Sequence, residues 1–459
     1  MPHSLPKEIF KAYDIRGIVG KTLTPDIARL IGKAFGSEAR QHGLPSVAIG
    51  RDGRLSGPAL LEALAEGLRS TGLEVIDVGA VATPMLYFAA HEWAASTGIM
   101  VTGSHNPPEY NGLKMVMGGA PVAGDAIQGL RERIELKQFL NGAGGYRSEN
   151  IAESYLKRIC DDVKLARPMR VVIDCGNGIP GAFAPELYKR LGCQVDPLFC
   201  EVDGHFPNHH PDPSQPENLK DLIHALAENR GEIGLAFDGD GDRLGLVTAE
   251  GQIIYPDRQL MLFAADVLTR KPGAEIIFDV KCTRHLFDWI RKHGGHPTMW
   301  KTGHSLIKSR MRETGAQLAG EMSGHFFFKE RWYGFDDGLY AGARMLELLS
   351  KVDNLSQTLA DLPNAVSTPE LQIPMLEGEN VALVEALRKQ GGFTNAKEVI
   401  VIDGVRVEYA DGFALARPSN TTPVVVLRFE ADNQAALDRI QADFRKAILA
   451  VRPDARLPF

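Results

Sequence analysis

Two short segments carry residues whose types and spacing can do chemistry. Asp238-Gly239-Asp240-Gly241-Asp242-Arg243 sets three carboxylates at alternate positions with glycines between them. Such a loop can wrap hard oxygen ligands around one cation, and three like charges this close repel one another without it. Mg²⁺ is the ion expected where phosphate is handled. An EF-hand reading fails: counted from Asp238, positions 6 and 12 are Arg243 and Ala249, and counted from Asp240, position 12 is Gly251, where that loop needs Gly and then Glu. The second segment is Thr102-Gly103-Ser104-His105-Asn106-Pro107-Pro108. Its Gly and two Pro exclude helix and central strand, so Ser104 is expected on a rigid turn after the short buried strand 98–101. A hydroxyl there becomes a nucleophile only with a base or metal beside it. The alternative is a polar turn that satisfies its own backbone.

Three further segments are suggestive. Arg417-Pro-Ser419-Asn420-Thr421-Thr-Pro423 gathers a guanidinium, three hydroxyls and an amide, the donors a phosphate needs, although a proline-bounded polar hairpin would look the same. In Gly320-Glu321-Met-Ser323-Gly-His325, three side chains could hydrogen-bond the hydroxyls of a sugar. In Lys301-Thr-Gly-His304-Ser305, His304 is a candidate acid or base near neutral pH, or simply a structural histidine.

These loops need a frame, and the sequence repeats one. Val47–Gly50, Arg170–Asp174 and Glu275–Asp279 are apolar runs, each followed by a turn, an amphipathic helix, a glycine and a second apolar run. That is a βαβ unit in triplicate, its strands buried on both faces. The last ~90 residues instead alternate short strands (399–402, 405–409, 412–415, 424–428) before a helix over 433–449, an α+β pattern. Four α/β or α+β domains are predicted, over 1–150, 151–253, 254–367 and 368–459, with 362–379 as the last linker.

Bulk composition narrows the function. A net charge of −7 with no basic run argues against nucleic acid, and an anionic substrate must then be held by local Arg and Lys against the global field. No stretch reaches the length of a membrane span, and the first eight residues lack an apolar leader core. Five scattered cysteines, never spaced C-x-x-C, suit reduced thiols in the cytoplasm. Gly20-Lys21-Thr22 lacks the upstream glycine of a phosphate-binding P-loop. Gly176-Asn-Gly178-Ile-Pro-Gly181 does fit G-x-G-x-x-G after a strand, with Asp196 twenty residues on. It keeps a dinucleotide oxidoreductase open, but that reading gives no task to the serine turn or the three-Asp loop. His205, His209 and His210 lie in a proline-rich stretch that excludes a helical metal pair, so an ordered loop is expected.

Taken together, the serine, acidic, Glu-Met-Ser-Gly-His and Arg-Pro-Ser-Asn loops, one per domain and in order, resemble the α-D-phosphohexomutase superfamily over essentially the whole chain, most closely its bacterial phosphomannomutase/phosphoglucomutase branch. The opening Lys7–Gly17, with Tyr13 and Arg16, is similar too. The resemblance implies three related mixed α/β domains and a C-terminal α+β domain around a central cleft. It implies that Ser104 is phosphorylated, and that Asp238, Asp240 and Asp242 hold Mg²⁺ with a phosphoserine oxygen. Lys114 and Arg243 would stabilise the transferring phosphoryl group, with His304 or Lys114 carrying the proton. Glu321, Ser323 and His325 would hold the sugar. Arg417, Ser419, Asn420 and Thr421 would hold the non-reacting phosphate, with Tyr13 and Arg16 nearby. The expected enzyme is a cytoplasmic monomer that interconverts hexose 1- and 6-phosphates of mannose and glucose through a hexose 1,6-bisphosphate. Met322, where the superfamily's glucosamine mutases usually carry Gln, favours mannose and glucose. A phosphoglucosamine mutase or a serine/metal phosphatase would use the same parts.

Overall fold

The computed structural model describes residues 5–376, 378–420 and 422–459; the first four residues of the N-terminal segment, Glu377 and Thr421 lie outside them. Each apolar run is the strand it was read to be, and each lies inside its own sheet, flanked on both sides. Ser46–Arg51 lies between parallel neighbours Glu74–Ala80 and Gly98–Val101. Arg170–Asp174 lies likewise between Gln194–Leu198 and Ile233–Phe237, and Glu275–Asp279 between His296–Trp300 and Leu318–Gly320. In every unit the third strand of this trio then turns back as an antiparallel hairpin, to Tyr110–Met117, Leu244–Thr248 and Phe326–Phe328 respectively. The sequence repeat is therefore a repeat of topology.

That topology positions the chemistry. The serine loop, the acidic loop and the Glu321–His325 loop are the connections of the three equivalent hairpins. At the end of each central strand an aspartate makes the same local turn. Asp52, Asp174 and Asp279 each accept a hydrogen bond from the backbone N–H two residues on, from Arg54, Gly176 and Lys281, all at 2.9 Å. In the first and third units the other carboxylate oxygen reaches the hairpin loop, taking the Gly103 N–H at 3.1 Å and the Met322 N–H at 3.4 Å. The strand end thus braces the loop that carries the side chains.

The fourth unit is a six-stranded antiparallel sheet covered by helices Glu379–Gln390 and Gln434–Val451. Its phosphate-donor loop is also a hairpin connection, although the strand Gly412–Pro418 already includes Arg417. The linker reading of 362–379 is corrected. Val366–Ser367 and Leu371–Pro374 pair antiparallel with Val424–Ala431 as edge strands. They are too short for alternation to register, and their prolines, tolerated at a sheet edge, read as breakers.

The units differ in how they join. One continuous apolar core runs from Ala48 and Met100 through Tyr155 and Phe237 to Phe278, Trp332 and Leu346, joining units one, two and three. The fourth unit has its own core around Leu427, Phe429 and Phe444. Among the described residues it meets the third through the small apolar patch of Val280, Phe413 and Leu415 and through polar bonds. Arg406 donates to the carbonyls of Val280 (2.6 Å) and Cys282 (2.7 Å), Arg428 to that of Lys281, and Thr283 Oγ1 to Glu430 Oε1 at 2.8 Å. No described helix is long and apolar enough to cross a membrane.

Candidate active site

The four hairpin loops converge on one cleft of about 870 Å³. Tyr13, Arg16, Ser104, Lys114, Arg243, His304, Glu321, Ser323, His325, Arg417 and Ser419, from all four units, line it. Asn420 sits in the same turn as Ser419 without lining the cleft, and Thr421 lies outside the described residues. Seven of the lining residues are Lys or Arg and four are Asp or Glu, so the cleft is locally cationic in a chain of net charge −7. This arrangement favours an anionic substrate.

At its floor Ser104 is held in the left-handed region (φ 49°) and is almost fully buried. A serine in that conformation persists only where its surroundings fix it, and they do. Its N–H donates to Thr102 Oγ1 (2.8 Å), and Thr102 Oγ1 donates to Asp52 Oδ2 (2.8 Å). The Arg54 guanidinium, 2% exposed, donates to four carbonyls of the loop: Ser104 (2.9 Å), Asn106 (2.5 Å), Pro107 (2.6 Å) and Tyr110 (3.0 Å). Ser104 Oγ donates to Asp238 Oδ2 at 2.9 Å and lies 3.1 Å from His105 Nδ1. The nucleophile candidate and the acidic loop are thus in direct contact, with Gly239 so close that a Cβ there would stand 2.5 Å from the Ser104 carbonyl.

The acidic loop is wholly buried. Asp238 Oδ1 takes the N–H groups of Gly241, Asp242 and Arg243 at 3.1–3.2 Å, which curls the loop. Asp240 Oδ2 accepts from Thr83 Oγ1 (2.5 Å) and from Lys114 Nζ (2.8 Å), which also bridges to Asp242. Burial, followed by repulsion from Asp242 and Asp240, pushes Asp238 well above the usual carboxylate range. Among the described residues Asp240 Oδ1 is buried with no hydrogen-bond partner, and Asp242 Oδ1 has only its ion pair with His325. Oxygen ligands within 4.8 Å of one another, one of them orphaned and all crowded by like charge, fit a small hard cation.

Burial opposes charge on Lys114, but Asp240 and Asp242 outweigh it and hold the ammonium well above its ordinary pKa. His304 goes the other way. Burial, and after it the Lys308 and Lys114 charges, keep it well below 6.5, a neutral imidazole at pH 7. It opens the helix His304–Thr314 and meets the Tyr13 ring edge-on at 5.6 Å. His325 is buried too, yet its contacts with Asp242 (3.2 Å) and Glu321 (3.4 Å) raise it to about 9. Ser323 Oγ lies 2.9 Å from His325 Nδ1, and Glu321 Oε1 accepts the Gly303 N–H at 2.6 Å. Arg243, within 3.6 Å of Asp212, is carried on a loop whose next residue, Leu244, bonds the Gly324 carbonyl at 3.0 Å. The acidic and Glu321–His325 loops are therefore stitched together.

At the far side, Arg417 Nε donates to Asp403 Oδ2 (3.0 Å), which also takes the Thr302 N–H (2.9 Å). Among the described residues Arg417 Nη2 is buried without a hydrogen-bond partner. Ser419 Oγ accepts from Thr422 N–H at 3.3 Å and lies 3.1 Å from Thr422 Oγ1. Arg16 binds Asn106 Oδ1 (2.8 Å) and Asp14 (2.6 Å), placing a guanidinium over the serine loop.

Family models match the chain along its length: phosphoglucomutase/phosphomannomutase alpha/beta/alpha domains I, II and III over residues 7–141, 153–251 and 255–366, and the C-terminal domain over 370–447. The chain belongs to the phosphoglucomutase/phosphomannomutase family. It is 59% identical to a phosphoglucomutase of Neisseria gonorrhoeae, covering 98% of both chains. It is 55% identical to a phosphomannomutase/phosphoglucomutase of Pseudomonas aeruginosa, covering 99% of this chain and 98% of that one. A solved family protein from Burkholderia thailandensis superposes with a TM-score of 0.95 at 60% identity, over 99% of this chain and all of the other. This is an enzyme family of intramolecular phosphotransferases.

In that light the Gly176–Gly181 turn is scaffold. A Cβ at Gly178 would stand 2.8 Å from Gly239, so the chain's own acidic loop fills the space a pyrophosphate would need. His209 bonds Asp174 at 2.9 Å in an ordered loop. The sequence reading missed Arg54 and Lys281. The signal existed: both stand two residues after the strand-end aspartate of their repeat, Arg54 clamping the serine loop and Lys281 facing the cleft beside Glu370 (3.0 Å).

Proposed function

We propose that this chain is a phosphomannomutase/phosphoglucomutase working through a phosphoserine at Ser104, and that the domains run 1–150, 151–253, 254–367 and 368–459. The observation that carries the reading is the contact of Ser104 Oγ with Asp238 in a cationic cleft whose opposite wall is Arg417 and Ser419. Asp238, Asp240 and Asp242 would hold Mg²⁺ with a phosphoserine oxygen. When bound, the ion would offset the charge that builds on a phosphoryl group in transfer. Catalysis of that transfer is mostly positioning and charge stabilisation. Lys114 and Arg243, held as cations by the acidic loop in the same cleft as Ser104, supply the protein's share. Neutral His304 accepts the proton of the attacking sugar hydroxyl, a role for which a lysine locked as ammonium by two carboxylates is unsuited. Glu321, Ser323 and His325 hold sugar hydroxyls. Arg417, Ser419, Asn420 and Thr421 hold the phosphate that is not reacting, with Tyr13 and Arg16 on that side of the cleft.

Phosphoserine donates to a hexose phosphate, the hexose 1,6-bisphosphate turns over in the cleft, and its other phosphate returns a phosphoryl group to Ser104. One fixed phosphate pocket with tolerant sugar contacts serves both orientations. Mannose and glucose differ only at C2, so both are substrates. The 55–59% identical relatives named for glucose or for mannose and glucose support this over glucosamine. The enzyme is read as a cytoplasmic monomer, and its five free thiols suit the cytoplasm. A ³¹P NMR time course with Mg²⁺, a trace of glucose 1,6-bisphosphate and each hexose 1-phosphate tests the reading. The 6-phosphates of glucose and mannose should appear without free phosphate, and Ser104→Ala should be nearly inert. Dominant release of phosphate would make it a phosphatase, and conversion of glucosamine 1-phosphate alone would move the substrate.

A further inference from the structure

Of the five cysteines, two meet. Cys200 Sγ lies 3.5 Å from Cys175 Sγ, with its thiol also facing the Leu198 carbonyl at 3.4 Å. Cys175 follows the end of the central strand of the second unit, Cys200 the end of the neighbouring strand, and the backbone holds both in place. Cys175 N–H bonds Leu198 O (3.2 Å), and Asn177 N–H bonds Phe199 O (2.8 Å). Phe199 stands at φ 49°, a kink that a bulky residue rarely adopts and that carries the chain back over the strand ends toward Cys175. At Gly181 a Cβ would lie 2.2 Å from the Cys200 carbonyl, so the backbone at Cys200 is pinned from that side as well.

We propose that Cys175 and Cys200 are a redox-modification site that takes a hydroperoxide and closes to a reversible intramolecular disulfide. Cys200, the partly exposed member, is the thiol that meets the oxidant. Its thiolate attacks one peroxide oxygen, the O–O bond breaks, and the products are a sulfenic acid at Cys200 and hydroxide. The fully buried Cys175 thiol then attacks the sulfenic sulfur, the S–S bond forms, and the hydroxyl leaves as water. Two thiols and one hydrogen peroxide thus become one disulfide and two waters. Bond formation requires the sulfurs to close from 3.5 Å to about 2.05 Å.

That closure pulls on the catalytic floor. Gly178 N–H bonds the Cys175 carbonyl (2.7 Å), Ile179 N–H bonds the Gly239 carbonyl (3.1 Å), and Gly239 abuts the carbonyl of Ser104. The pair is thus two short contacts from the acidic loop, and oxidation slows turnover by shifting that loop against Ser104. This second part rests on the mutase reading; the disulfide itself does not.

The test treats the reduced full-length enzyme with hydrogen peroxide, then measures intact mass, the linked peptides and mutase rate. The expected result is a loss of about 2 Da per chain in a Cys175–Cys200 linked peptide. The rate should fall several-fold with it and recover on dithiothreitol. Cys200→Ser and, independently, Cys175→Ala should lose both responses, and Cys160→Ser should keep both. No 2 Da loss, or a linkage elsewhere, overturns the site. A disulfide that forms at the predicted pair while the rate is unchanged overturns the coupling. If the untreated enzyme shows no mutase rate at all, the mutase reading fails and the mass result still decides the site.

Discussion

The two walls of the cleft are built on different principles. The Ser104 wall is braced from behind: three loops on three repeats, joined by a shared apolar core, with the serine clamped by Arg54 and its acidic neighbours buried. The Arg417 wall stands on a unit with its own core, joined to the third by arginine–carbonyl bonds and a three-residue apolar patch. Interfaces of that polar kind ordinarily permit domain motion, whereas a continuous core does not. The difference teaches a division of labour. On the proposed reading, phosphoryl transfer would take place on the wall with the shared core. Phosphate recognition would belong to the separately cored unit, whose closure over the substrate would exclude the water that hydrolyses a phosphoserine.

Breaking the braced wall should cost the most. Asp240→Asn removes a ligand and half of the Lys114 contact, and should lower kcat by ~10²–10³-fold. EDTA should do the same to the wild type. Mg²⁺ should raise the melting temperature of wild type but far less of the variant, since the ion relieves repulsion only where the carboxylates remain. Next comes Arg54→Met, which frees four carbonyls of the serine loop without touching substrate. A misplacement of the order of 1 Å costs about 10²-fold in kcat with little change in KM. A variant that changed only KM would argue that the clamp is unrelated to the chemistry. On the separately cored wall the signature reverses. Arg417→Ala loses charge-assisted bonds to a phosphate already bound in the ground state, so KM should rise ~10–100-fold while kcat moves less.

The smallest expected effect bears on that bracing. Asp337 caps the helix Gly338–Leu349, whose first N–H holds the Gly241 carbonyl at 3.1 Å, and so lies behind the acidic loop. Burial raises its carboxyl to about 7, against the hydrogen bonds from Tyr340 N–H, Tyr155 and Trp332. A carboxyl whose folded pKa is raised binds its proton more tightly in the native state. Its contribution to stability is therefore full below pH about 4 and fades as pH rises toward 7. Urea denaturation should show that decline in the wild type, and Asp337→Asn should flatten it.

Much of this architecture is legible in the sequence because its signals are local. Buried parallel strands read as apolar runs, and loops with Gly and Pro can be nothing else, so Ser104 and the three aspartates announce themselves. What stayed hidden is what depends on contact across the chain. Arg54 looks like one more polar turn residue until its guanidinium is seen reaching carbonyls some fifty positions away. The choice between Lys114 and His304 could not be made from residue type. It turns on burial at both, outweighed at Lys114 by two carboxylates and reinforced at His304 by two cations. The edge strands at 366–367 and 371–374 exist only because Val424–Ala431 is there to pair with.

The central claim, that Ser104 carries the phosphoryl group between two sugar orientations, is tested most directly by mass spectrometry of the protein after brief exposure to glucose 1,6-bisphosphate with Mg²⁺. The account predicts one added phosphoryl group, about 80 Da, mapped to Ser104 and discharged on adding glucose 1-phosphate. The Ser104→Ala variant should remain unmodified. A phosphoryl group on another residue, or full mutase turnover by the alanine variant, would contradict it.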